Sequence, residues 1–318
     1  MKDMNPMVIS LLVVLLLTGC AQVSEAAAIP PSDSAAAAQV LSAAAVPVAT
    51  PVPGDSERAV TVDGLRRTYL LHVPAGLAEG SPTPLVFVFH GLFADGSFAR
   101  QASDFNSVAD AKGFLVVYPN GSGPNTEALA FNAGQCCGLA IRQNVDEAGF
   151  VRAILSDLGT VAHIDPARIY STGWDNGAFL TYRLACEMAG TFAAVAPVSG
   201  TWDYSPCRPE QPVSLLHLHG MKDLKIPFEG GGLIPGTSNQ VFSPAREVVA
   251  KWAERNGCSD DAQAEEDGLV TRTVYAGCPA GIDVEIYALA GIPHGWPSTY
   301  AYPASEAIWN FFAAHPKP

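Results

Sequence analysis

Arg168-Ile-Tyr-Ser-Thr172, then Gly173-Trp-Asp-Asn-Gly177, then Ala178 to Met188 form one continuous run in the middle of the chain. The first part is short, largely apolar and carries β-branched Ile169 and Thr172, which predicts a strand. The last part has helical spacing. Five residues therefore have to turn a strand into a helix. In so tight a turn, side chains at 173 and 177 would clash with the neighbouring strand and helix, so glycine stands at both. The residue between them, Asp175, is forced into strained backbone geometry with its side chain above the sheet.

Outward from this run, strands and helices keep alternating. Upstream, Val60 to Val73 partly alternates polar and apolar residues around Gly64, which predicts an antiparallel hairpin. Leu85-Val-Phe-Val-Phe89 is a continuous apolar run before His90-Gly91, as in a strand buried on both faces. Phe98 to Lys112 reads as a helix, Phe114 to Tyr118 as a strand, and Val145 to Leu158 as a helix. Downstream, Phe192 to Val198, Val213 to Leu218 and Val284 to Leu289 read as strands. Pro244 to Asn256 and Ala304 to Ala314 read as helices. This order predicts a single α/β domain built on a mostly parallel, doubly wound sheet.

Strand, Gly-x-Asp-x-Gly and helix together have the layout of a nucleophile elbow, which predicts the α/β-hydrolase fold. The other parts of such a site follow in order. His90-Gly91-Leu92 lies just past the first buried strand, so the Leu92 N–H and the Asn176 N–H are the expected oxyanion donors. Asp223 follows the strand ending at Leu218 and is the expected acid. His294, in Gly291-Ile-Pro-His294-Gly-Trp296, follows the strand ending at Leu289 and is the expected base. Trp174 and Trp296 are candidates for the acyl pocket or for the core. Asp146 reads as a buried loop anchor, and His90 and His219 as structural. His72, His163, His217 and His315 have no evident partner.

Five segments together resemble the polyhydroxybutyrate depolymerase-like and feruloyl-esterase-like family of secreted α/β-hydrolases. They are Val88-Phe-His-Gly91; Phe131-Asn-Ala-Gly-Gln-Cys-Cys-Gly138 with Asn144-Val-Asp146; Gly173 to Glu187; His219 to Phe228; and Pro293-His-Gly-Trp296. The resemblance implies carboxylic-ester hydrolysis by a Ser-His-Asp triad, with His294 and Asp223 as its histidine and acid and an ester-containing small molecule or polymer as its substrate. The serine position falls on Asp175.

An aspartate there changes the chemistry. It ionises without a base, and its attack on an ester carbonyl gives a mixed anhydride, which is more reactive than the ester it came from. Three readings follow. The chain is a hydrolase of the esterase type with weak or altered ester turnover, or a non-catalytic binding protein of the cell envelope. Alternatively it uses Asp175 as a nucleophile on carbon–halogen or epoxide bonds. The carboxylate could also fold into the oxyanion hole at the helix N-terminus and pair with a protonated His294.

The chain has 318 residues, 48% hydrophobic and 15% charged, with a formal net charge of −13. That is enough apolar material for one large core. The acidity and the absence of any basic run argue against nucleic acid as a partner. No Gly-x-Gly-x-x-Gly follows a strand, and no cofactor is implied.

Residues 1–19 read as a signal peptide. Met7 to Leu17 is apolar but too short to span a bilayer, and Leu17-Thr-Gly-Cys20 resembles a lipobox. Cys20 is then the lipidated residue, and the protein is exported and anchored to a membrane or secreted. Residues 20–55, rich in Ala, Pro, Ser and Val, read as a disordered tether, and 56–318 as the hydrolase domain. Six further cysteines suit disulfides outside the cytoplasm. Cys258 and Cys278 flank a polar, loop-like stretch and form a natural local pair. Adjacent Cys136 and Cys137 are each expected to reach Cys186 or Cys207. A zinc site is disfavoured because no Cys-x-x-Cys pair is present.

Overall fold

Leu85 to Phe89 is buried throughout because helices cover both faces of its sheet, and the side-chain period of two divides its residues between two cores. Leu85, Phe87 and Phe89 enter one core, while Val86 and Val88 enter the other. Leu115 and Val117 then oppose Val116 and Tyr118 in the same way. These observations come from a computed structural model that describes residues 52–317 except 78–79, 135, 203–206, 235–240, 260 and 301. The chain divides into units 1–45 and 46–318, and every described residue belongs to the second. The signal peptide and Cys20 therefore lie outside the described residues.

In chain order, β1 (Gly54–Val62) and β2 (Leu65–Val73) form the expected hairpin, followed by β3 (Thr83–Phe89). Helices α1 (Gly96–Ser103) and α2 (Phe105–Lys112) precede β4 (Leu115–Pro119). Next come α3 (Gly138–Arg142), α4 (Glu147–Leu158), β5 (Ile164–Trp174) and α5 (Asn176–Glu187). Then β6 (Ala194–Val198), β7 (Ser214–Gly220), and the short strands β8 (Gly231–Leu233) and β9 (Val241–Phe242) follow. The chain continues through α6 (Ala245–Arg255), β10 (Ala262–Asp267), β11 (Val270–Tyr275), β12 (Val284–Leu289) and α7 (Ala304–Ala314).

The main sheet has ten strands in the order β1-β2-β4-β3-β5-β6-β7-β12-β11-β10. The six from β4 to β12 run parallel, and an antiparallel pair flanks them at each edge. Helices α4, α5 and α6 contribute to the core on one face, and α1, α2 and α7 to the core on the other. This is the α/β-hydrolase fold. No helix among the described residues is long and apolar enough to cross a membrane.

Several expectations need correction. The helix expected over Phe98 to Lys112 is two, because Asp104 takes a left-handed conformation, φ 53°, and caps α1 through its N–H to the Arg100 carbonyl. The Ser103 carbonyl, released from the helix, accepts instead from the Ser305 hydroxyl of α7. Gly54 and Asp55, read as tether, belong to β1, where the Asp55 carboxylate binds both His72 and Arg100. The loop expected between Cys258 and Cys278 is a hairpin, β10–β11. Its edge strand Ala-Gln-Ala-Glu-Glu-Asp is exposed at every residue, so no apolar alternation marks it.

Disulfides join Cys258 to Cys278, as expected, and Cys186 to Cys207, which differs from the expectation that Cys136 and Cys137 would each reach one of the latter two. The chain returns after β6 to put Cys207 within 5.7 Å of Cys186, Cα to Cα, inside the ordinary disulfide range. Asp146 is the N-cap of α4 rather than a buried anchor, accepting from Gly149 N–H at 2.7 Å. The unassigned histidines also have partners: Asp55 and Asp110 for His72, Gly80 for His163, Tyr182 and His219 for His217, and Asp283 for His315.

Candidate active site

Strand β5 ends at Trp174 and α5 begins at Asn176, so Asp175 alone makes the turn, at φ 56° and ψ −122°. A Cβ at Gly173 would lie 2.7 Å from the Phe89 carbonyl oxygen, and one at Gly177 closer still, so β3 forbids a side chain at either position. Asn176 fastens the first turn of α5. Its amide accepts from Phe131 N–H at 2.6 Å and donates to the Phe131 carbonyl at 3.1 Å. The loops after β3, β5, β7 and β12 converge here, at the carboxyl ends of the parallel strands.

Asp175 is the centre of the hydrogen bonding. Its Oδ1 accepts from the N–H of Leu92 at 3.0 Å and from the N–H of Asn176 at 2.5 Å. Its Oδ2 lies 3.0 Å from His294 Nε2. On the other side of the ring, His294 Nδ1 lies 2.7 Å from Asp223 Oδ2. Asp223 is buried, and its Oδ1 accepts from the N–H groups of Lys225 and Ile226 at 2.9 and 2.8 Å. The structure thus brings together Asp175, Leu92, Asn176, Asp223 and His294 in one chain of contacts.

The electrostatics follow from these distances. Burial favours neutral His294, but hydrogen bonds to Asp175 and Asp223 and their two charges outweigh it and raise its pKa to about 9. Burial would raise the Asp223 pKa, yet hydrogen bonds from His219 and His294 hold it well below the usual carboxylate range. At neutral pH His294 is an imidazolium that can donate from both ring nitrogens. His90 behaves oppositely: burial lowers it to about 4. Its neutral ring donates to the Gly91 carbonyl at 2.7 Å and accepts from Gly121 N–H at 2.9 Å, bracing the Leu92 loop.

A cavity of about 350 Å³ opens over Asp175, lined by Leu92, Phe93, Phe179, Ile226, Phe242, Lys225 and the Cys136–Cys137 pair. Trp174 and Trp296 are not among its lining residues. Both are buried in the core beneath, edge to face at 6.1 Å, with the Trp296 indole N–H bonded to Ser305. The sequence reading missed Phe93, Phe179, Ile226 and Phe242, because single apolar residues on separate elements leave no local pattern. It also gave no role to the contact of His219 Nε2 with Asp223 Oδ2 at 3.4 Å. A second cleft of about 420 Å³, lined by Arg66, Thr68, Asn120 and Gln143 among others, contains none of these groups.

Residues 67–204 match the family described as Esterase PHB depolymerase. Feruloyl esterase C of Emericella nidulans is 27% identical over 271 residues, 82% of this chain and 91% of that protein. Feruloyl esterase B of Piromyces equi is 25% identical over 235 residues, 72% of this chain but 42% of that protein, so the chain spans less than half of it. Among solved structures, an acetyl xylan esterase from Aspergillus awamori superposes with a TM-score of 0.55 at 18% identity, covering 81% of this chain and 99% of that one. The chain is similar to esterase-type hydrolases in sequence and shares their α/β-hydrolase fold.

Proposed function

We propose that this is an exported protein of the esterase type that binds carboxylic esters in the cavity over Asp175 and, as it stands, turns them over weakly. One observation carries the reading: Asp175 Oδ1 sits 3.0 Å from the Leu92 nitrogen and 2.5 Å from the Asn176 nitrogen. Those two N–H groups are the donors that an acyl-transfer intermediate would need for its oxyanion. A carboxylate already fills their place, beside the N-terminus of α5, where negative charge is favoured.

Ester cleavage is then hindered twice. The developing oxyanion has no vacant donors, and nucleophilic attack by Asp175 would lead uphill to a mixed anhydride. His294, held protonated by the hydrogen bonds and charges of its two carboxylate neighbours, is a poor general base at neutral pH. What remains intact is the binding space. Phe93, Phe179, Ile226 and Phe242 offer an apolar lining for an acyl or aryl group. Attack on carbon–halogen or epoxide carbon has less support, because among the described residues neither Trp nor Tyr lines the cavity to receive a leaving halide or alkoxide. The apolar run Met7 to Leu17 before Cys20 supports export and a lipid anchor.

The experiment compares p-nitrophenyl acetate hydrolysis by the parent chain and by Asp175→Ser. Freeing both oxyanion donors and supplying a hydroxyl should raise kcat by about a hundredfold or more, since a single such donor contributes about 10²–10³. A parent chain that already turns over esters at about 1–10³ s⁻¹, with no gain in the serine variant, would overturn the reading. Hydrolysis in heavy-oxygen water adds a further check: label entering Asp175 would mean that the carboxylate does act as a covalent nucleophile.

A further inference from the structure

Behind Asp223, three buried groups continue the chain of contacts away from the cavity. Tyr182 of α5 lies with its hydroxyl 2.8 Å from His217 Nδ1. His217 Nε2 lies 3.0 Å from His219 Nδ1. His219 Nε2 lies 2.8 Å from the Ile226 carbonyl oxygen and 3.4 Å from Asp223 Oδ2. Both histidines and the tyrosine are completely excluded from solvent. His217 and His219 are two residues apart on β7, so the pleat turns both toward the same core, where Tyr182 packs.

The partners fix where the protons are. A carbonyl oxygen only accepts, so His219 Nε2 carries hydrogen. If His217 Nε2 donates to His219 Nδ1, then His217 Nδ1 accepts the Tyr182 O–H, and every hydrogen has an acceptor. The reverse direction would leave the buried Tyr182 O–H pointing at no acceptor among the described residues. Desolvation also holds His217 in its neutral form. All donors along the chain therefore point toward Asp223.

We propose that Tyr182, His217 and His219 form a one-directional hydrogen-bond relay, in which His219 is a positioning residue that pins the Asp223–Ile226 turn and keeps Asp223 an ionised acceptor for His294. The inference rests on the reading of Asp223 and His294 as the acid and histidine of the site. No proton moves along the relay; it is a fixed polarisation. The His219 N–H clamps the turn at the Ile226 carbonyl, while the Ile226 N–H clamps Asp223 Oδ1. The remaining titratable groups that act on the relay are Tyr275 of β11 and Arg255 of α6, through their charges on Tyr182.

Three measurements test this, and the first two need no ester turnover, so they stand apart from the fate of Asp175 as a suppressor. Nitrogen NMR of the imidazoles in the unmodified chain should find hydrogen on Nε2 of both His217 and His219. Hydrogen on Nδ1 of either overturns the relay. Carboxyl-carbon NMR titration of Asp223 is the second. In His219→Leu its midpoint should rise by about one pH unit or more, because a desolvated carboxylate has lost a donor. In His219→Gln, which can still donate to Asp223 and accept from His217, the midpoint should stay with the parent. A folded His219→Leu variant whose Asp223 titrates like the parent's, or a Gln variant that behaves like Leu, would make His219 a space filler and refute the proposal. In an Asp175→Ser background, the Leu change should also lower kcat about tenfold with KM unchanged, and Gln should restore it.

Discussion

Replacing Asp175 by serine should change the pH dependence of stability in a calculable way. His294 is raised from 6.5 to about 9 by two carboxylates, Asp175 at 3.0 Å and Asp223 at 2.7 Å, against the opposing effect of burial. At about 1.4 kcal/mol per pH unit, that rise is worth about 3 kcal/mol to the folded state. Because the folded pKa lies above the unfolded one, this stability is fully present below about pH 6.5 and is lost as pH rises through about 9. For a domain of this size, about 2–4 °C accompanies each kcal/mol, so melting should fall by about 6–12 °C across that window. Asp175→Ser removes one of the two partners and hence roughly half of the effect, about 1.5 kcal/mol. Thermal melts followed by circular dichroism from about pH 6 to about pH 10 should show the parent losing its advantage over the variant as pH rises. Imidazole NMR should place the variant's His294 titration about one pH unit or more below the parent's. Parallel melting curves for the two proteins over the whole range would refute the ion-pair argument.

Asp175→Asn should lower the His294 pKa as the serine variant does but give no gain in p-nitrophenyl ester hydrolysis, separating charge from nucleophile; activity appearing in the Asn form would count against an occupied oxyanion site. Arg67 and Glu147 form a pair at 3.0 Å with both side chains almost fully buried. Arg67→Met should therefore cost about 3–5 kcal/mol by stranding the carboxylate, and Arg67→Met with Glu147→Leu should recover much of it; urea midpoints would measure both. The Cys186–Cys207 bond spans 21 residues. Replacing both cysteines by serine should cost about 3 kcal/mol in the same urea assay, and an unchanged midpoint would mean that the bond contributes nothing.

The fold and the candidate site were legible in the sequence wherever a local rule applies. Continuous apolar runs such as Leu85 to Phe89 need two covered faces, and Gly173 and Gly177 need the absence of a Cβ against Phe89. That Asp223, His294, Leu92 and Asn176 lie together is legible because each sits one short loop beyond a recognisable strand. Features that depend on where distant loops return were not legible. The partner of Cys186 is decided by the path through Cys207, and the cavity lining by Phe93, Phe179 and Phe242 arriving from three separate elements. For Trp174 the sequence leaves pocket and core equally open, and alternation along β5 turns it into the core below. The relay did leave a signal, two histidines at positions 217 and 219. A period of two on a strand buried at both faces puts both in one core, where each must find a polar partner.

The proposed function also separates what residue 175 does for the scaffold from what it does for turnover. The elbow puts its central residue at φ 56°, a conformation costly for most side chains, and exposes two N–H groups and a helix terminus to whatever that side chain offers. A serine would leave those donors for substrate. An aspartate bonds both donors itself, neutralises the α5 terminus and pairs with His294 in the resting state. The same contacts that would lower the barrier for a substrate oxyanion are thereby made in the ground state. Interactions realised equally before and during reaction give no acceleration. Under the proposed function, Asp175 moves the electrostatic preorganisation of this site from the transition state into the stability of the fold.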